Sequence, residues 1–119
     1  MTLRSQALRE LEHLERHVFE GDADDPYEAT YAIWNGCRIL YTLDTGSSVI
    51  SKRAAGLWGL ANLPAVWHPA IESANRAYDG MASIEDNQVL TATMAPFVQM
   101  VREHLAPTET RPPGPPRWS

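Results

Sequence analysis

His13 and His17 stand four residues apart, the spacing at which two imidazoles on one helix face can share a zinc ion. No third ligand accompanies them. In His-Leu-Glu-Arg-His the glutamate is also displaced from the position directly after the first histidine that the metalloprotease pattern requires. The pair therefore reads as surface histidines beside glutamate, and no metal site is assigned. Cys37, the only cysteine, lies in an apolar helical run without an adjacent base, the setting of a buried thiol and not of a nucleophile. Asn35 and Arg38 are polar members of the same run. A helix inside a bundle holds such groups only when they are hydrogen-bonded, so they form either a structural network or a ligand contact. Lys52, the only lysine, follows Ser51 at what reads as the first position of a helix. Free backbone N–H groups and the positive end of the helix dipole favour an anion there. A cation at that end works against the helix itself, which points to a phosphate contact. Tyr78 closes another helical stretch, where its ring can pack in the core or stack on a base. No catalytic acid, base or nucleophile stands out.

The charge narrows the classes of partner. Ten Lys and Arg against fifteen Asp and Glu give a formal charge of -5, which supplies no basic stripe for nucleic acid. Residues 1–28 hold eight acids and three bases, and the rest of the chain holds seven of each. The net charge thus sits at the front, as a solvated acidic helix face or as a field that attracts cationic ligands or basic partners. A single cysteine allows no internal disulfide, and neither a leader pattern nor a membrane-length apolar run is seen. The expected compartment is the cytoplasm, with no membrane partner.

Helices must position these groups. Leu3, Ala7, Leu11, Leu14 and Val18 form one apolar stripe on an amphipathic first helix that ends at Gly21. Asp25, Pro26 and Glu28 make a capping-box opening for a second helix running to about Leu43, with Asp44-Thr45-Gly46 closing it. Apolar residues on more than one of its faces place this helix in mid-bundle, and Gly36 allows a close approach. Ser51 caps a third helix to about Ala61, with Leu57, Trp58 and Ala61 expected inward. Leu63-Pro64 breaks the chain before a fourth helix from about Val66 to Tyr78. Ser83 caps a last helix carrying Leu90, Met94, Phe97, Val101 and Leu105, which Pro96 should kink or split. The fold class is all-α, a compact bundle of about five helices over residues 1–106. Residues 107–119, with five prolines, are expected to be a disordered or polyproline tail.

The run Tyr-Ala-Ile-Trp-Asn-Gly-Cys-Arg-Ile-Leu-Tyr-Thr-Leu-Asp-Thr-Gly at residues 31–46 resembles the C-terminal helical domain of the streptomycin and spectinomycin adenylyltransferases. The likeness continues through Ser51-Lys52, Trp58, Leu63-Pro64, Pro69 and Ala77-Tyr78, and more weakly through residues 97–102, covering about residues 20–105. In that family a separate N-terminal nucleotidyltransferase domain carries a Gly-Ser turn, a metal-binding Asp-x-Asp and a further carboxylate. Together with magnesium these move the adenylyl group of ATP onto an aminoglycoside hydroxyl. The resemblance implies ATP contacts at Lys52 and Tyr78 and an aminoglycoside contact at Asp25. Ala29 and Ala32 stand where the family would place further polar drug contacts.

Gly46-Ser47 is present, but no Asp-x-Asp follows it, and Asp22-Ala23-Asp24 precedes it, the wrong order for the catalytic core. The expectation is a stand-alone or truncated adenylyltransferase C-terminal domain, inactive unless a nucleotidyltransferase domain acts in trans. ATP and magnesium are implied for the family, with no cofactor held by this chain alone. The alternative is a helical partner subunit of a separately encoded minimal nucleotidyltransferase. Either would expose an apolar face that another domain, or a second copy in a dimer, could cover.

Overall fold

A computed structural model describes residues 3–21, 24–47 and 49–105. The acidic Asp22-Ala23 step and the Pro-rich segment 107–119 lie outside the described residues. Helix α1 (Leu3–Glu20) buries Ala7, Leu11, Leu14 and Val18, four of the five members of the apolar stripe, while Leu3 at its start is partly exposed.

Helix α2 (Pro26–Thr45) opens as the sequence predicts at one group and not at the other. Asp25 is the N-cap, its carboxylate accepting from the Tyr27 N–H at 2.9 Å, with Pro26 at the first helical position. Glu28, expected to complete a capping box, instead meets His17 of α1. This contact ties the end of α1 to the start of α2 and leaves the cap to Asp25 alone. Gly46 ends the helix at φ 77°, the left-handed conformation that glycine adopts without penalty.

Helix α3 (Lys52–Asn62) starts at Ser51, whose hydroxyl accepts from the Ala54 N–H at 3.1 Å. Its inward face differs from expectation. Ala55, Gly56 and Gly59 are buried, whereas Leu57 is 58% exposed, Ala61 is exposed and Trp58 is half-buried. The cause is close packing of small residues. A Cβ at Gly59 would lie 3.0 Å from Cys37 Sγ and 3.1 Å from Ile71 Cδ1, so α3 turns its slim side to its neighbours and its larger residues outward.

After Leu63-Pro64, a 3₁₀ turn (Ala65–Trp67) precedes helix α4 (His68–Tyr78), so the regular helix begins two residues later than expected. Helix α5 (Ile84–His104) has a complete capping box between Ser83 and Asp86 and runs unbroken through Pro96, which therefore does not split it. Pro96 and Ala92, whose carbonyl loses its usual i+4 donor, are both exposed, so water can satisfy the freed oxygen.

Helix α2 is the spine, packed against α1, α3, α4 and α5. Helix α5 approaches α2 closely at Gly36, where an added Cβ would sit 2.5 Å from Phe97 Cε2. Arg102 of α5 forks onto Glu15 of α1, with one bond at 2.9 Å, and Arg4 donates to the Leu105 carbonyl at 2.8 Å. These contacts bind the first helix to the last. Among the described residues there is no strand, and no helix is long and apolar enough to cross a membrane.

Candidate functional site

Lys52, Tyr78 and Asp25 are all set by helix ends, and α2 relates them. Lys52 is the first residue of α3 and is exposed. The Ser51 hydroxyl and carbonyl take the N–H groups of Ala54 and Ala55, while those of Lys52 and Arg53 precede the helical ladder. The Lys52 ammonium lies 5.5 Å from the centroid of the Tyr31 ring on α2, within cation–π range. Tyr78 is the last residue of α4, 58% exposed, its ring centroid 4.6 Å from that of Trp34. Trp34 itself is buried and donates its indole N–H to Asn75 Oδ1 at 2.9 Å.

Tyr31 and Trp34 are three residues apart on α2, so they lie on neighbouring turns of one face. Lys52 rests on the first and Tyr78 on the second. Arg53 closes the gap. Its guanidinium lies 5.1 Å from the centroid of the Tyr78 ring, and it pairs with Asp79, which follows Tyr78. The start of α3 is thereby fastened to the end of α4. The outcome is a cluster of two exposed cations and the exposed Tyr78 over half-buried Tyr31 and buried Trp34. Sequence reasoning missed Tyr31, Trp34 and Arg53 as its members. The signal available was the three-residue spacing of the two rings within residues 31–46.

A second network fixes α4 beneath Tyr78. Arg76 donates through Nε and a terminal nitrogen to both oxygens of Asp86, at 2.9 and 2.6 Å in the shorter pair, and Ser73 donates to Asp86 at 2.9 Å. The Ser83 backbone N–H adds a bond at 3.0 Å. The Arg76 guanidinium first, and the Ser83 N–H second, hold the Asp86 carboxyl well below the usual carboxylate range.

Asp25 lies six residues before Tyr31, about 9 Å away along the α2 axis at 1.5 Å per residue. It is partly exposed, and one of its oxygens is occupied by the cap bond. Ala29 and Ala32 follow it on α2 and are wholly buried in the core. His13 and His17 do not converge. His17 turns to Glu28 and lies beside Tyr31 at 4.8 Å between centroids, while His13 lines a cleft between α1 and α2. Cys37 is buried, and burial pushes its thiol up to about 12, so it is no nucleophile.

The family model described as aminoglycoside adenylyltransferase, C-terminal domain, matches residues 5–104. The chain belongs to that family. No curated protein and no solved structure matches it at a significant level. In this adenylyltransferase C-terminal domain Lys52 and Tyr78 are both exposed, and Arg53, next to Lys52, links α3 to the Tyr78 ring and to Asp79. Ala29 and Ala32 present no polar side chain and lie in the apolar interior. Among the described residues, no group of three or more His, Cys, Asp or Glu side chains gathers where it could hold a metal ion.

Proposed function

We propose that this chain is the substrate-gripping helical part of an aminoglycoside adenylyltransferase, with nucleotide bound over the Lys52–Tyr78 cluster and a cationic drug group at Asp25. The family match over residues 5–104 carries the reading. The cluster supports it chemically. Lys52 adds a positive charge to the N-terminus of α3, where backbone N–H groups already favour a phosphate. The exposed face of Tyr78 offers a platform for an adenine ring, and its packing on Trp34 holds that platform in place. The front of the chain carries the excess acid, and Asp25 stands at its end, a suitable counter-charge for an aminoglycoside amine.

Adenylyl transfer in this reading belongs to a nucleotidyltransferase core, in the same polypeptide or in trans, that closes on the cluster. Tyr78, Met81 and Ile84 are exposed in succession across the link from α4 to α5, an apolar margin suited to such a partner. Calorimetric titration tests the binding half of the proposal. ATP should bind saturably and lose at least about tenfold in affinity on Lys52→Ala, the loss of one charge-assisted contact. Streptomycin or spectinomycin should respond to Asp25→Ala and not to Lys52→Ala. No binding of either ligand, with a co-purifying nucleotidyltransferase, would favour the partner-subunit reading instead.

A further inference from the structure

A groove of about 420 Å³ lies between the 3₁₀ turn and the C-terminal half of α5. Pro64 and Trp67 form one wall, and Pro96, Gln99, Met100 and Glu103, which recur at helical spacing on one face of α5, form the other. The aromatic wall is braced from behind. The half-buried Trp67 ring stands edge-on to Phe97 at 5.4 Å between centroids, and His68 donates from Nε2 to the Leu63 carbonyl at 2.7 Å, which fastens the turn. Pro64 and Pro96 are exposed. Lys52, Tyr78 and Asp25 do not line the groove, so it takes no part in the nucleotide and drug contacts proposed above.

A tryptophan beside exposed proline rings, with polar groups at the rim, is a surface suited to a polyproline II chain. Proline rings pack on the aromatic wall, and a helix preformed in the free chain loses little entropy on docking. Proline carries a carbonyl but no N–H, so its chain needs donors from the wall, and the Trp67 indole and the Gln99 amide are both donors.

The chain itself supplies such a segment. Helix α5 ends at His104, on the rim of the groove, and Pro112-Pro113-Gly114-Pro115-Pro116 follows a short way on, between Arg111 and Arg117. The lengths agree. From His104 back to Pro96 is about 12 Å at 1.5 Å per residue, and five residues of polyproline II span about 12 Å at 3.1 Å per residue. Residues 106–111 are chain enough to turn back. The charges agree too, since residues 107–119 carry two arginines against one glutamate in a chain of net charge -5, and Glu103 is exposed at the groove. A segment running antiparallel to α5 brings Arg111 level with Glu103.

We propose that this groove is the docking site of the chain's own residues 112–116, bound as a polyproline II helix against Trp67, Met100 and Pro96. Tethering sets an effective concentration of about 1 mM, so an intrinsic Kd of about 0.1 mM keeps the groove about 90% filled.

NMR on the full chain tests this, with a full-length variant carrying Pro112→Ser, Pro113→Ser, Pro115→Ser and Pro116→Ser. The parent should show NOEs between proline ring protons and the Trp67 ring. In the variant these should vanish and the Trp67 indole N–H resonance should move, while the Trp34 resonance and the melting temperature stay. A synthetic peptide of residues 107–119 should bind the variant with a Kd of about 0.1 mM and the parent about tenfold more weakly, because the tethered segment competes. Glu103→Arg in the variant should weaken the peptide, and Arg111→Glu in the peptide should restore it. The proposal fails if the NOEs are absent and the Trp67 resonance is the same in both chains, or if the peptide binds neither. Equal peptide binding to both chains would leave the groove open to a Pro-rich segment of another protein and overturn it. NOEs seen only between differently labelled copies in a mixed sample would give the groove to a second copy and overturn it as well. Peptide binding untouched by the charge swap would refute the antiparallel seating.

Discussion

Replacing Gly36 by alanine tests the central packing contact of the fold. The new Cβ would lie 2.5 Å from Phe97 Cε2, 3.1 Å from Phe97 Cδ2 and 3.4 Å from Val101 Cγ2. Carbon atoms prefer about 3.5–4.0 Å, so the nearest contact is short by about 1 Å. Phe97 is wholly buried and Trp67 stands edge-on to it at 5.4 Å between centroids, so the ring has little room to retreat. Overpacking of this kind costs about 1–3 kcal/mol, while alanine in place of glycine returns roughly 1 kcal/mol of helix propensity. A contact short by about 1 Å puts that cost at about 2–3 kcal/mol, so the net expectation is a loss of about 1–2 kcal/mol, or about 5–10 °C in Tm for a domain this size. Urea and thermal melts would read it. Adding Phe97→Leu removes the clashing ring edge, so Gly36→Ala should cost nothing, or stabilise, in that background. A single substitution that leaves Tm unchanged or raised would refute the α2–α5 spacing on which the rest of the bundle depends.

Acid should loosen the α4–α5 junction. Asp86 has a folded pKa below its unfolded value because Arg76 and the Ser83 N–H bind its charged form, so its stabilisation is present above about pH 4 and is lost as pH falls toward the folded value. Asp86→Asn should therefore flatten the acid limb of the stability profile, and identical acid-unfolding curves would contradict this. Cys37 should resist a thiol reagent at pH 8 in the folded chain and react promptly in denaturant, since burial leaves almost no thiolate; fast labelling of the native chain would show the thiol to be accessible. Trp34→Phe strips the indole bond from the half-buried Asn75 and should cost about 1 kcal/mol, the net worth of such a bond. It should also weaken ATP binding through Tyr78, so unaltered affinity would separate Tyr78 from its tryptophan support.

The helices were legible because their ends are written in local chemistry. Asp25-Pro26, Ser51 and Ser83 cap by side chain, and Gly46 takes the one backbone conformation that ends α2. The stripe in α1 and the mid-bundle place of α2 followed from apolar spacing. What spacing could not show was which face of α3 turns inward, because there the small residues are buried and the large ones are not. That choice is made by Cys37, Ile71 and Asn75 on other helices. Glu28 was misjudged for a related reason, since its partner His17 belongs to α1 and competes with the local cap. Lys52 and Tyr78 are visible in the sequence as a lone lysine and a helix-terminal aromatic, and the nucleotide role proposed for them rests on the family resemblance. Their link through Arg53, and the aromatic floor of Tyr31 and Trp34, is a tertiary contact that no single helix encodes.

In the proposed function these residues grip substrates and leave the chemistry to a nucleotidyltransferase core. The most direct measurement is adenylyl transfer from ATP to streptomycin or spectinomycin with magnesium present. The 119-residue chain alone should give no adenylylated drug. Adding a nucleotidyltransferase core of this family in trans should give turnover that Lys52→Ala reduces. Turnover by the chain alone would contradict the account, as would turnover with the added core that Lys52→Ala leaves unchanged.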